Sequence, residues 1–152
     1  MKKILALIVM CMFLMGVAGE VNAAGTAAEA EAMVKKAVEY IKANGNDKAY
    51  AEFTKNKTGM FKKDDLYIFV LDDKYNMLAH GGNDKMVGKN FKDLKDSDGS
   101  LFLKGMVDKG MADGKAWYDY KWTNPTNKKV EPKSSYVVKV DNTVVGCGFY
   151  KK

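Results

Sequence analysis

The sequence predicts an α+β domain, an antiparallel sheet of about five strands with helices on one side of it. Three observations predict this class. Apolar residues recur every three or four positions near the start, β-branched and aromatic runs separated by turn formers fill the second half, and one more helical pattern divides the first two strands from the last three.

The elements follow in order. Lys2 and Lys3 precede an unbroken apolar run at 4–15, and a small-residue exit passes through Gly16, Ala18, Val21, Asn22, Ala23 and Ala24. This is the pattern of a secretory signal peptide, with cleavage expected after Ala23, and the uncharged stretch of 16 residues from Ile4 to Gly19 is short of the ~20 a spanning helix needs. Residues 24–152 then form one domain of 129 residues, with no second segment of spanning length. Across 26–50, Ala30, Met33, Val34, Ala37, Val38 and Ile41 make an amphipathic helix. Asn44-Gly45-Asn46-Asp47 interrupts it, either as a break before a second short helix at 48–53 or as a kink in one long helix. Residues 66–71 and 77–80 read as a β-hairpin. A polar, glycine-bearing connection follows, with Phe91 and Leu94 as apolar plugs, and residues 100–111 carry helical spacing up to Gly114. Strands are expected at 115–122, 134–141 and 143–150.

Composition excludes several chemistries. Every one of the 25 basic residues is a lysine, and removing residues 1–23 leaves a net charge of +5. A surface that reads nucleic acid draws on the arginine fork, so no nucleic-acid partner is expected; a lysine-rich surface instead steers small anions. With one histidine, His80, and one cysteine beyond the signal peptide, Cys147, no zinc site of the usual kind and no intramolecular disulfide can form. Phosphate-binding, dinucleotide and nucleophile-elbow motifs do not occur, and no cofactor is expected. Cys147, in an apolar run, reads as a small buried hydrophobe. Asp96-Ser97-Asp98-Gly99-Ser100 resembles part of a calcium loop, but Gly105 stands where the glutamate ligand belongs, so it reads as a helix-initiating turn.

The third strand is more informative. Period-two alternation puts Ala116, Tyr118, Tyr120 and Trp122 on one face and Trp117, Asp119 and Lys121 on the other. Such an aromatic stripe suits either core packing or a pocket for a small polar molecule. Lys133 and Ser135 share a face of the fourth strand and Tyr136 points the other way; turned inward, the Lys133 ammonium would anchor a carboxylate, with His80 as a further donor.

The order of Tyr67-Ile68-Phe69-Val70-Leu71-Asp72, Leu78-Ala79-His80, Met86-Val87-Gly88-Lys89-Asn90-Phe91, Trp117-Tyr118-Asp119-Tyr120-Lys121-Trp122, Val130-Glu131-Pro132-Lys133-Ser134-Ser135-Tyr136 and Val145-Gly146-Cys147-Gly148-Phe149-Tyr150 resembles the single Cache domain family of extracytoplasmic sensors. The resemblance covers about residues 26–152. It implies a long N-terminal helix packed on a PAS-like antiparallel sheet, with a short covering helix and a small-molecule pocket between sheet and cover. By position the pocket would draw on Phe69, His80, Met86, Tyr118, Tyr120, Trp122, Lys133 and Ser135 or Tyr136. Where the family commonly has proline after its histidine, this sequence has Gly81. The expectation is a periplasmic or secreted, non-enzymatic binding domain for a short carboxylate that presents its ligand to a membrane receptor or transporter. The competing expectation is a cell-envelope interaction module that keeps the scaffold without a ligand and uses its N-terminal helix for dimerisation or docking.

Overall fold

Helix α1 (Ala27–Asn44) opens the described part of the chain, which in this computed structural model comprises residues 24–55 and 59–151. The expected signal peptide lies outside the described residues. Thr26 Oγ1 accepts from the Glu29 N–H at 3.3 Å, and the Glu29 carboxylate accepts from the Thr26 N–H at 3.0 Å. This reciprocal cap satisfies donors that the first turn would leave unpaired. Ala30, Val34, Ala37 and Ile41 form the buried stripe. Gly45, at φ 81°, ends the helix, and α2 (Asn46–Phe53) begins directly after it, so the chain breaks into two helices rather than kinking within one.

Six strands follow: β1 (Lys62–Lys63), β2 (Leu66–Asp72), β3 (Met77–His80), β4 (Lys115–Thr123), β5 (Val130–Val140) and β6 (Thr143–Tyr150). Every pairing is antiparallel, in the order β1-β2-β6-β5-β4, and β3 also pairs with β2. Two strands depart from the sequence reading. The short β1 carries only lysines, so no alternation announces it; its register comes from pairing with Tyr67 and Leu66. β5 starts at Val130, ahead of the expected residue 134. Pro132 sits opposite Lys121 without an N–H, yet its carbonyl accepts from the Lys151 N–H at 2.9 Å, so pairing on the β6 side runs past it.

The helices flank both faces of the sheet, which corrects the one-sided arrangement read from element order. β2 decides the matter, because it is apolar throughout. Leu66, Ile68 and Val70 join the core under α1 and α2, whereas Tyr67, Phe69 and Leu71 join a second core under α3 (Phe102–Asp113). A strand with large side chains on both faces needs a cover on each. Gly114, at φ 78°, closes α3 and turns the chain into β4.

Candidate ligand-binding site

The face under α3 holds a small pocket. Tyr67 and Phe69 of β2, Met77 and His80 of β3, Met86 of a single turn at Asp84–Met86, Phe102 and Leu103 of α3, and Tyr120 and Trp122 of β4 line it. Its volume of about 10 Å³ is space for roughly one water. Tyr67, His80, Met86 and Trp122 also border an outer cleft of about 630 Å³, whose rim includes Asn83, Lys85, Phe91, Leu94, Thr123, Pro125 and Lys128. The apolar plugs Phe91 and Leu94 thus belong to the wall of this cleft.

His80 ends β3 and is 4 % exposed. Its Nδ1 accepts from the N–H groups of Gly82 (3.1 Å) and Asn83 (2.9 Å), which places the ring proton on Nε2. Burial, with the nearby Lys133 charge, lowers its pKa to about 3, so the imidazole is neutral at physiological pH. Nε2–H is then a donor with no partner among the described residues. A side chain at position 82 would bring its Cβ within 2.9 Å of the Tyr67 ring and 3.1 Å of His80 Cε1, so glycine lets the loop close over both. Gly81 donates its N–H to Ile68 O at 2.9 Å, a bond that a proline at this position cannot make.

Lys133 is only 1 % exposed, and its neighbours are aromatic. Its Nζ donates to the Tyr67 hydroxyl at 2.8 Å and to the Tyr150 hydroxyl at 3.4 Å, and lies 4.1 Å and 4.7 Å from the centroids of the same two rings. No carboxylate is hydrogen-bonded to it among the described residues. Burial lowers its pKa to about 7. The Tyr150 hydroxyl donates to Thr123 O at 2.9 Å. The Tyr67 oxygen accepts from Lys133, and its hydroxyl stands beside the Tyr150 hydroxyl and the Trp122 indole. Burial raises the pKa of both phenols, so they remain donors. Gly148 makes this packing possible, because a Cβ there would stand 2.2 Å from Ser135 Oγ and 2.6 Å from Lys133 Cε.

Of the residues read from the sequence, Phe69, His80, Met86, Tyr120 and Trp122 are brought together in the wall. Lys133 and Ser135 share that face but stand behind it, Lys133 behind Tyr67 and Ser135 bonded to the Tyr120 hydroxyl at 2.9 Å. Tyr118 shares the face too, yet packs on α3 at Gly105, where a Cβ would meet its hydroxyl at 2.2 Å. Tyr136 is set apart. It faces α1, paired with Trp117 at a ring separation of 5.2 Å, as the alternation of β5 requires. Tyr67, Met77, Phe102 and Leu103 were not singled out in the sequence. The signal for Tyr67 was its place two residues before Phe69 on the same strand face. Tyr120 is both core and wall, since Phe102 stacks on it at 4.7 Å and 13°.

His80 Nε2–H is a donor in the pocket wall, and the Tyr67 hydroxyl beside it is backed by the buried Lys133 cation; the arrangement suits an anionic acceptor. A Cys147–His80 pair is not assembled. Cys147 packs under α1 on the opposite face, with burial raising its pKa to about 12. Asp96 accepts from the N–H groups of Asp98 and Ser100, both at 3.0 Å, as a turn before α3.

A helix-covered antiparallel sheet in this order, with a donor-lined pocket under its second cover, defines a small PAS-like sensor domain. The chain matches the Single Cache domain 2 family over residues 9–152 and belongs to that family, whose domains are extracytoplasmic sensor modules. It is 34% identical over 88 residues to the sensor histidine kinase MctS of Rhizobium johnstonii (strain DSM 114642 / LMG 32736 / 3841), a match over 57% of this chain and 19% of the kinase. The chain therefore spans about a fifth of that relative's length. Among solved structures it resembles a methyl-accepting chemotaxis protein from Vibrio parahaemolyticus RIMD 2210633, with TM-score 0.68 and 25% identity over 81% of this chain and 86% of that one. It also shares the fold of a Cache chemosensory domain described for carboxylic acid recognition, with TM-score 0.69 and 22% identity over 82% of this chain and 92% of that one. Sensory ligand binding is the function such domains share. No described helix is long and apolar enough to cross a membrane.

Proposed function

We propose that this domain, freed of residues 1–23 and located in the periplasm or outside the cell, binds a short organic carboxylate and presents it to a membrane receptor or transporter. The observation that carries the reading is the Lys133 ammonium, buried among tyrosines with no carboxylate hydrogen-bonded to it among the described residues; the buried Asp65 acts on it only as a more distant charge. A buried cation without a directly bonded anion is costly, and an incoming carboxylate recovers part of that cost. The carboxylate accepts from Tyr67 O–H and His80 Nε2–H at the wall, and Lys133 acts on it through the Tyr67 hydroxyl. Carboxylic acid recognition in the similar chemosensory domain supports the same ligand class. The donors and the charge at the wall are what the binding of an acid requires.

The test is a thermal-shift titration with acetate, propionate and pyruvate on the protein and on Lys133→Ala. A ligand at one hundred times its dissociation constant adds about 2.7 kcal/mol of stability. Stabilisation by at least one acid, absent in the variant, supports the proposal; no response in the unmodified protein defeats it. One observation favours the second reading, an interaction module without a ligand. The inner pocket is nearly filled by its own side chains, at about 10 Å³. Capture of a specific envelope partner by a protein that ignores every acid would establish that reading.

A further inference from the structure

We infer that the ligand of this site carries two acidic groups on a short chain, the second held at the rim of the outer cleft by Lys85 and Lys128. The inference rests on the carboxylate reading and goes further by naming the class of carboxylate. Size supplies the first argument. A single acid group docked at Tyr67 and His80 leaves the cleft of about 630 Å³ beyond them almost empty, although pockets that retain small molecules bury most of the ligand surface.

Charge supplies the second. Lys85 and Lys128 border the cleft, and no aspartate or glutamate does. The ion pairs among the described residues join other lysines: Lys55, Lys63, Lys104, Lys121 and Lys151 each have an acidic partner, whereas Lys85 and Lys128 have none. The acid in the strand that follows the Lys128 turn is already engaged, since Glu131 accepts from Asn124 Nδ2 at 2.9 Å and Asn127 Nδ2 at 2.7 Å. Lys62 lies close enough to Lys128 for that charge, after burial, to lower its pKa. Like charges held near one another repel, and a bound anion relieves the repulsion.

The backbone fixes both lysines. Lys128 sits at φ 63° with its N–H donated to Asn124 O at 2.8 Å, and the Lys85 N–H is held by Asn83 Oδ1 at 3.1 Å. Two lysines on ordered turns, facing a cleft whose inner wall already offers donors, make a two-point site for an acid at each end of a ligand.

The experiment compares succinate and glutarate with their monomethyl esters by isothermal titration calorimetry, on the unaltered protein and on the Lys85→Ala, Lys128→Ala variant. Both side chains are exposed, so the fold survives their loss. The unaltered protein is expected to prefer at least one diacid over its monoester by about tenfold, with each lysine supplying a factor of about two to five. The double variant should bring diacid affinity down to the monoester level, and added salt should shrink the preference. Equal affinity of diacids and monoesters, with both lost in Lys133→Ala, overturns the two-point inference and leaves the carboxylate reading standing. A diacid preference that survives the double variant also overturns the inference. Binding of neither class overturns both.

Discussion

Replacing Lys133 by methionine separates what this residue costs the fold from what it gives the ligand. In the fold the ammonium titrates near pH 7, against 10.5 for an ordinary lysine, because burial disfavours the charge. One pH unit is worth about 1.4 kcal/mol, so holding the group charged at about pH 6 costs roughly 5 kcal/mol. The folded pKa lies below the unfolded one. The unfolded chain therefore binds the additional proton, and stability rises with pH from about 7 to about 10.5. Methionine keeps most of the stem volume and removes this cost, but it leaves the Tyr67 oxygen without its donor, a loss of about 1–3 kcal/mol. The variant should be more stable by roughly 2–4 kcal/mol at about pH 6, or at least about 5 °C in Tm, and should fall level with or below the parent near pH 10.5. Thermal melts across this range, with and without a carboxylate, measure both effects. A variant that melts lower by the same amount at every pH, or one that carboxylates still stabilise, would refute the account of Lys133 as a costly buried cation and anchor.

Four further substitutions test the packing of the sheet on its two faces. Gly148→Ala drives a methyl group into Ser135 Oγ and Lys133 Cε, at 2.2 Å and 2.6 Å; it should cost about 1–3 kcal/mol by chemical denaturation and abolish the carboxylate response. Gly81→Pro removes the N–H donated to Ile68 O and places Cβ 2.8 Å from Phe53 O, so it should destabilise by roughly 2–4 kcal/mol. An unchanged midpoint would mean the loop has a second acceptable path. Ser135→Ala should cost about 1–3 kcal/mol by orphaning the buried Tyr120 hydroxyl. Tyr136→Phe, on the far face, should leave ligand affinity untouched in the same titration, and a loss of affinity there would contradict the assigned face of β5.

Most strands and helices were legible from an apolar run or one dominant period, β1 with its two lysines having neither, and the turn glycines at 45 and 114 mark real helix ends at positive φ. The two faces of the sheet were not. Element order carries no facing information, and only the unbroken apolar run of β2, buried on both sides, records that two covers exist. The site was legible in part for a related reason. Alternation within β4 placed Tyr120 and Trp122 correctly, and alternation within β5 separated Ser135 from Tyr136. Tyr118 shares the stripe, but Gly105 of α3 takes it up as a packing surface, and no strand period reports what a helix presents opposite. Phe102 and Leu103 escaped for the same reason, since helical spacing marks them only as core.

Proton uptake gives the sharpest test of how charge and ligand are coupled. A carboxylate accepting from Tyr67 O–H lies within a few ångströms of the Lys133 ammonium, and an opposite charge at such range raises a lysine pKa by about 1–3 units. At about pH 8 most unliganded domains hold Lys133 neutral, because its pKa is about 7. Binding then draws in close to one proton. At about pH 6 the amine is already charged and its uptake should fall to nearly zero. His80 contributes little at about pH 8, because a shift of the same size from about 3 reaches at most about 6; at about pH 6 it adds at most about half a proton. Calorimetry in two buffers of unlike ionisation enthalpy reads the proton number directly. Affinity should weaken by up to tenfold per pH unit above about 7. Uptake that is absent at about pH 8, or that persists in Lys133→Met, would mean the ligand does not sense this amine, and the anchor would have to be sought among His80 and the lysines of the rim.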